Sequence, residues 1–267
     1  MAAAAPLSIE LSMRNMSQEL QKTVVITGGN RGIGLSITEA FVNAGYFVVV
    51  GARQEAGLAN RFGGRVAFIP TDVRNESAHR ELVRCATAKT GRLDVYVNNA
   101  GFSEWRPIGE IDEAFFDLLI GTNLKGAFWG CKAAVDSMSK GGAIVNISSI
   151  AGKRGSANNS AYCASKFGMN GLTQALAKEV GPRGIRVNAV CPVLVPTEGL
   201  IEALRSDQSP ARGDPDGFMT KFASDNAALK RLPTGSEIGA MCVFLASQAA
   251  SAITGQCINV DCGVFPQ

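Results

Sequence analysis

Short apolar runs rich in valine and isoleucine recur along the chain at 23–27, 47–50, 66–69, 95–97, 143–147, 185–190 and 257–260. Between them the apolar positions change to a helical period. After Gly32 the positions Ile33, Ile37, Phe41 and Val42 fall on one helical face. From Tyr162 the residues Met169, Leu172, Leu176 and Val180 follow at spacings of 3, 4 and 4, and Gly181-Pro182 ends the pattern. A further helix is expected to begin near Asn75 or Glu76. Runs that are apolar throughout, rather than alternating, suit strands covered on both faces. The pattern predicts an α/β fold built on a parallel sheet of about seven strands with helices on both sides.

One stretch departs from this rhythm. Residues 198–232 are polar and broken by Pro210, Gly213, Pro215 and Gly217, and a segment of that length in a compact domain is usually functional. It is expected to form helical pieces that act as a lid over a substrate cleft. No linker or repeat divides the rest, so 21–267 reads as one dinucleotide-binding catalytic domain behind a mobile N-terminal tail, 1–20. The tail lacks the basic start and apolar core of a secretory signal, and no segment approaches the roughly 18 apolar residues of a membrane span. The expected setting is the cytoplasm, with no membrane partner.

Composition narrows the function classes. With 26 basic and 23 acidic residues the chain carries only +3, and that charge is dispersed, which gives nucleic acid nothing to bind. Seven cysteines are scattered without a CxxC pair, a pattern of free thiols in a reducing compartment rather than a disulfide framework. The one histidine, His79, lies in a polar helical stretch, so a histidine metal site or a Ser-His-Asp triad has no material; no metal is expected.

The candidate chemistry lies elsewhere. Residues 27–34, TGGNRGIG, follow the first strand and open a helix. Gly28, Gly32 and Gly34 permit a tight turn there, and Asn30, Arg31, Ile33 and the backbone amides of the helix start can approach a pyrophosphate. The second strand ends in Arg53 rather than an acidic residue, with Glu55 past the tip. Arg53 and Arg31 could pair with a 2′-phosphate, which favours NADP(H) over NAD(H). Asp72-Val73 after the third strand and Asn99 with Gly101 after the fourth extend the path along the strand ends, Asp72 as acceptor for an adenine amino group. Tyr162 and Lys166 stand four residues apart on one helix face, where a cation beside a phenol would favour the phenolate and lower its pKa.

Taken in order, these motifs resemble the short-chain dehydrogenase/reductase family, in the subgroup of roughly 250 residues that includes 3-oxoacyl-carrier-protein reductases and many sugar, polyol and steroid dehydrogenases. The similarity runs over about 21–263. It rests on TGxxxGIG at 27–34, NNAG at 98–101, Asn123-Leu124 at a helix start, Ser148-Ser149 closing the fifth strand and YxxxK at 162–166. The resemblance implies a Rossmann-type doubly wound sheet and hydride transfer between a nicotinamide cofactor and a secondary alcohol/ketone pair. It implies Tyr162 as general acid/base, Lys166 as its tuner and ribose ligand, Ser149 as a hydrogen-bond donor to the substrate oxygen, and Asn123 as holder of a relay water. It also implies a homotetramer, with the helices starting near Asn123 and Tyr162 in an interface.

Pro192, Val195 and Thr197 match positions that bind the nicotinamide carboxamide, but Val193 stands where the family usually has glycine. A branched side chain there is expected beside the nicotinamide, with Pro196 stiffening the entry to the lid. Residues 102–107, among them Trp105 and Arg106, together with Lys153, Arg154 and the lid would rim the substrate cleft. An epimerase or dehydratase on the same scaffold and a non-catalytic dinucleotide sensor are the rival readings. The intact set of Asn123, Ser149, Tyr162 and Lys166 argues against the sensor.

Overall fold

The first two strands show why the apolar runs lack alternation. β1 (Thr23–Thr27) and β2 (Phe47–Ala52) are buried at every position, as parallel strands with both faces covered must be. In the computed structural model, which describes residues 21–139 and 141–266, they pair in parallel from Thr23↔Phe47 to Thr27↔Gly51. The expected tail at 1–20 lies outside the described residues. The strands β3 (Val66–Pro70), β4 (Val95–Asn98), β5 (Gly142–Ile147), β6 (Ile185–Pro192) and β7 (Cys257–Val260) complete a seven-stranded sheet in the order β3-β2-β1-β4-β5-β6-β7. Every pairing is parallel. The doubly wound α/β fold expected from the pattern is therefore present, and the chain reverses its direction of growth between β1 and β4. Ligands bind in open sheets of this kind at that switch point, outside the carboxyl ends of the strands.

Two apolar layers hold the helices to the sheet. On one side α1 (Gly32–Asn43) packs Ile37, Phe41 and Val42 with Ile238, Cys242 and Leu245 of the helix Gly235–Ala246 against Val24, Val48, Val50 and Val97. A Cβ on Gly239 would lie 2.8 Å from the Ser36 carbonyl, so glycine lets these two helices touch backbone to backbone. After the short helix α2 (Leu58–Phe62), the other side is covered by α3 (Glu76–Thr90), α4 (Glu113–Ile120), α5 (Gly126–Ser137) and α6 (Ser160–Val180). Leu82, Ala86, Cys131, Ala134, Ala177 and Val180 pack there on Val25, Val49, Tyr96 and Ile144.

Two local expectations need correction, and one residue is buried where its neighbours gave no sign of it. Asn123 does not start a helix: α4 and α5 run on through a π turn at Gly121–Lys125, closed by Gly126 N–H donating to the Gly121 carbonyl. The extra residue of a π turn rotates Asn123 inward, where it is fully buried. His79, from a polar stretch, is also fully buried. Its Nε2 donates to the Val73 carbonyl at 2.8 Å and its Nδ1 accepts from the Tyr96 hydroxyl at 2.7 Å; the carbonyl can only accept, which fixes the tautomer. Trp105 is buried rather than lining a polar rim, packed with Leu204, Ala211 and Met219.

That last cluster gives 198–232 its order. The helices α7 (Glu198–Leu204) and α8 (Pro215–Asn226) pack on it. Asp214 caps α8 by accepting from Gly217 N–H at 3.0 Å, with Pro215 in the first turn. The helix Gly235–Ala246, α9, follows and opens on a capping box of Thr234 and Glu237. Among the described residues no helix is long and apolar enough to cross a membrane.

Candidate active site

The carboxyl ends of β1, β4, β5 and β6 converge with the start of α1 and the exposed end of α6. Gly28 turns the chain out of β1 with φ +66°, and its N–H donates to the Gly51 carbonyl at 2.7 Å. A Cβ on Gly34 would strike the Gly28 carbonyl and the Asn99 side chain. Asn99 Nδ2 donates to the carbonyls of Thr27 and Gly28 at 2.9 and 3.1 Å. Thr27 Oγ1 accepts from the amides of Asn99 and Ala100 at 3.0 and 3.1 Å. The turn between strand and helix is thus held rigid from both sides. The first turn of α1 has no side-chain cap, so its early N–H groups point out of the helix without intrahelical partners. A glycine cradle with free amides at a helix N-terminus fits a dinucleotide pyrophosphate.

Asn30 Nδ2 donates to the Gln54 carbonyl at 2.9 Å, drawing the glycine turn to the end of β2. Arg31 and Arg53 are exposed there, and neither is in a salt bridge among the described residues. Asp72 differs. Its carboxylate accepts from Arg74 Nη2 at 2.6 Å and from Arg74 Nε at 3.0 Å, and these bonds, with a smaller pull from Arg53, hold its carboxyl below the usual range. Sequence reasoning missed Arg74, since nothing in a single arginine after Asp72-Val73 marks it as that carboxylate's partner. Val73 is buried, and its carbonyl is the one bound by His79.

The expected catalytic residues come together on α6, the π turn and the turn after β5. Lys166 is buried, and its Nζ donates to the Ile147 carbonyl at 2.8 Å while lying 5.6 Å from the centre of the Tyr162 ring. Ser149 lies close enough to the Tyr162 hydroxyl to draw its pKa down against burial, and its Oγ lies 3.4 Å from the Pro192 carbonyl. Asn123 clamps the chain after β4. Its Oδ1 accepts from Phe102 N–H at 3.0 Å, and its Nδ2 donates to the Phe102 carbonyl at 2.8 Å. Gly101 permits this, since a Cβ there would lie 3.0 Å from Asn123 Oδ1. Ser148 points away, its Oγ 3.4 Å from the Lys166 carbonyl. The Tyr162 ring packs beside Phe102, Phe115, Leu119 and Ala161.

The net shift of the phenol runs upward, because burial outweighs the lowering expected beside a cation. Burial pushes Tyr162 up to about 12, opposed by the nearby Ser149 hydroxyl. Burial also draws Lys166 down to about 8. Desolvation wins on both groups because each charged form loses more water than the neighbour replaces. At neutral pH the tyrosine is a neutral phenol and the lysine remains an ammonium.

Around this centre Val195 is buried in the core on the α1 side. Thr197 caps α7, its Oγ1 accepting from Leu200 N–H at 3.3 Å, and it faces the glycine turn, since a Cβ on Gly32 would be 3.6 Å from Thr197 Cβ. Val193 packs its branched side chain with Ile150, Phe222, Ala227 and Val264, so it ties the end of β6 to α8. Arg106 is occupied by Glu104 at 2.7 Å and by the Phe115 ring at 4.0 Å. Lys153 donates to the Cys257 carbonyl at 2.6 Å, and Arg154 lies over the Phe265 ring at 5.4 Å.

The family model described as "Enoyl-(Acyl carrier protein) reductase" matches residues 28–265. The chain is 36% identical over 262 residues to the 3-oxoacyl-[acyl-carrier-protein] reductase FabG of Chlamydia muridarum, covering 92% of this chain and 98% of that one. It is 32% identical over 257 residues to the L-2,3-butanediol dehydrogenase of Corynebacterium glutamicum, covering 92% and 99%. The aldohexose dehydrogenase of Thermoplasma acidophilum superposes with a TM-score of 0.83 at 31% identity, over 91% of this chain and 94% of that one. The chain belongs to the short-chain dehydrogenase/reductase family. It is an NAD(P)-dependent oxidoreductase acting on a CH–OH/C=O pair.

The buried ammonium has a measurable cost. Its displacement from 10.5 to about 8 corresponds to ~3 kcal/mol of disfavoured burial at neutral pH. Because the folded-state pKa is depressed, the penalty is full below about 8 and fades as pH rises towards the unfolded value of 10.5. Lys166→Met removes this cost and leaves the Ile147 carbonyl short of one donor. Urea unfolding at pH 7 is expected to show a net stabilisation of about 1–2 kcal/mol, shrinking as pH is raised. A destabilised variant would contradict this electrostatic reading.

Proposed function

We propose that this chain interconverts a ketone and a secondary alcohol with NADP(H), Tyr162 transferring the proton. The observation that carries the reading is the neutral Tyr162 phenol, set near Ser149 and beside the buried Lys166 ammonium, 5.6 Å from the ring centre. In the reductive direction a carbonyl oxygen placed between Ser149 and Tyr162 receives hydrogen bonds from two fixed hydroxyls. As negative charge grows on that oxygen, the phenol proton moves to it. Lys166 lowers the cost of the phenolate this leaves behind. Asn123 holds the water that passes a proton on from Lys166. Its carboxamide is committed to Phe102, so that contact falls to its backbone carbonyl. The oxidative direction reverses each transfer, with Tyr162 as base.

When bound, the nicotinamide supplies or accepts the hydride. Gly28, Asn30, Gly32, Ile33 and Gly34 would hold its pyrophosphate and Arg31 and Arg53 its 2′-phosphate. Asp72, Val73, Asn99 and Gly101 would line the adenosine side, and Tyr162, Lys166, Pro192, Val195 and Thr197 the nicotinamide side. Helices α7 and α8 form a lid over the substrate, with Pro196 stiffening its entry and Val193 and Phe222 linking it to the end of β6. The residues 21–267 act as one catalytic domain. Phe116, Phe128 and Phe167, each 44–48% exposed on α4, α5 and α6, would be covered in a homotetramer.

Three measurements test this reading. Tyr162→Phe should lower kcat by about 10²–10⁴-fold while leaving NADPH affinity nearly unchanged; substantial retained turnover overturns the role of Tyr162. NADPH should give the higher kcat/KM, and Arg53→Ala should cut that value by about tenfold or more with little effect on NADH. A parent enzyme that prefers NADH contradicts the assignment of Arg31 and Arg53. Light scattering should give four times the 28.0 kDa chain mass, and a monomer mass rules out the tetramer.

A further inference from the structure

Two cysteines outside the proposed chemistry meet behind the active site. In the parallel pairing of β6 with β7, Ala189 is level with Cys257 and Cys191 with Asn259. Side chains alternate along a strand, so Cys191 and Cys257 project from the same face of the sheet, one step apart along the diagonal. That face is the one covered by α6: Cys191 Sγ lies 3.9 Å from Asn170 Oδ1, on the helix that carries Tyr162 and Lys166. The register sets the two thiols side by side on that face, near enough for each to perturb the other's ionisation. Cys191 is fully buried, whereas Cys257 is partly buried on the edge strand β7.

The surroundings make the two sulfurs unequal. The Lys153 ammonium is anchored on the Cys257 carbonyl at 2.6 Å, so a fixed positive charge stands beside that residue. Cys257 is drawn down to about 7, chiefly by the neighbouring Cys191 thiol and also by Lys153. Cys191 is pushed up by the same pairing and by burial. The arrangement sets a partly exposed, acidified thiol beside a fixed cation and next to a buried thiol. A low-pKa, partly exposed cysteine beside a resolving partner is the form that reacts selectively with oxidants.

We propose that Cys257 and Cys191 are a peroxide-oxidisable dithiol, with Cys257 as the attacking residue and Cys191 as the resolving one. The Cys257 thiolate attacks one oxygen of hydrogen peroxide and displaces hydroxide, which leaves as water after protonation, giving a sulfenic acid. Cys191 sulfur then attacks the Cys257 sulfur. The S–S bond forms, the S–O bond breaks, and the Cys191 proton leaves with the hydroxyl as a second water. One peroxide is reduced for each disulfide formed. Diagonal neighbours in a sheet lie roughly 7–8 Å apart, beyond the roughly 6.8 Å that a disulfide spans at its longest, so closure requires β7 to move inward. β7 can move because it has a sheet partner on one side only. Cys191 directly precedes Pro192, whose carbonyl lies 3.4 Å from Ser149 Oγ, so a shift of the strand at Cys191 is passed to the serine beside Tyr162. Oxidation therefore also slows turnover. This second statement rests on the function proposed above, and the crosslink does not.

The test uses the full chain, freed of added thiol and titrated with hydrogen peroxide, then alkylated, digested and analysed by mass spectrometry. A linked pair of peptides containing Cys191 and Cys257 should appear first and disappear on treatment with dithiothreitol. In Cys191→Ala, dimedone should instead trap Cys257 as its sulfenic acid. If both cysteines stay alkylatable while Cys85 or Cys262 is oxidised, the dithiol is refuted, whatever the enzyme's substrate. Turnover of the parent should fall severalfold on oxidation and recover on reduction, whereas Cys257→Ser should keep its rate under peroxide. A crosslinked parent that turns over at its full rate overturns the coupling to the active site.

Discussion

A buried ammonium must find an acceptor, and in this fold the position of Lys166 constrains everything near it. The acceptor is the Ile147 carbonyl at the end of β5, 2.8 Å from Nζ. To reach it, α6 must lie against the turn that carries Ser149. A Cβ on Gly152 would lie only 2.7 Å from the Lys166 carbonyl, and Asn170 Nδ2 donates to the Gly152 carbonyl at 2.9 Å. The serine turn and the tyrosine helix are therefore fastened at several points. Their hydroxyls stay close because the backbones beneath them cannot drift apart, which is the preorganisation that acid/base transfer needs.

A second polar layer lies under the first. Asn98 on β4 donates to Asn146 Oδ1 on β5 at 2.9 Å, and Asn146 donates to Thr173 on α6 at 2.9 Å. All three residues are buried. Such a chain is costly when broken and specific when complete, because each member left unpaired would pay its desolvation alone. It sets the register of α6 on the sheet, and so the height at which Tyr162 stands over the strand ends.

Much of the architecture was legible because it is repetitive. Each strand is an apolar run with both faces covered, and β1 and β7 occupy the spans their valines and isoleucines indicated. Tyr162 and Lys166 were legible because helical spacing makes them neighbours. What failed depends on contacts between distant segments. The π turn at Asn123 exists because its side chain binds the Phe102 backbone, 21 residues away. Nothing in the polar neighbours of His79 marks it as buried, yet Tyr96 and Val73 satisfy both ring nitrogens. Trp105 looked like a cleft residue until the helices of 198–232 supplied its packing partners. The net shift of Tyr162 was not legible because sequence spacing shows the cation but not the water that burial removes.

The central claim is that Lys166 is held as a desolvated ammonium beside a neutral phenol. Lysine side-chain carbon resonances, followed by NMR through a pH titration of the isotope-labelled chain, measure this directly. The resonance missing from Lys166→Met should titrate near about 8, well apart from the exposed lysines. A Lys166 resonance that titrates at the ordinary value of 10.5 would contradict the account.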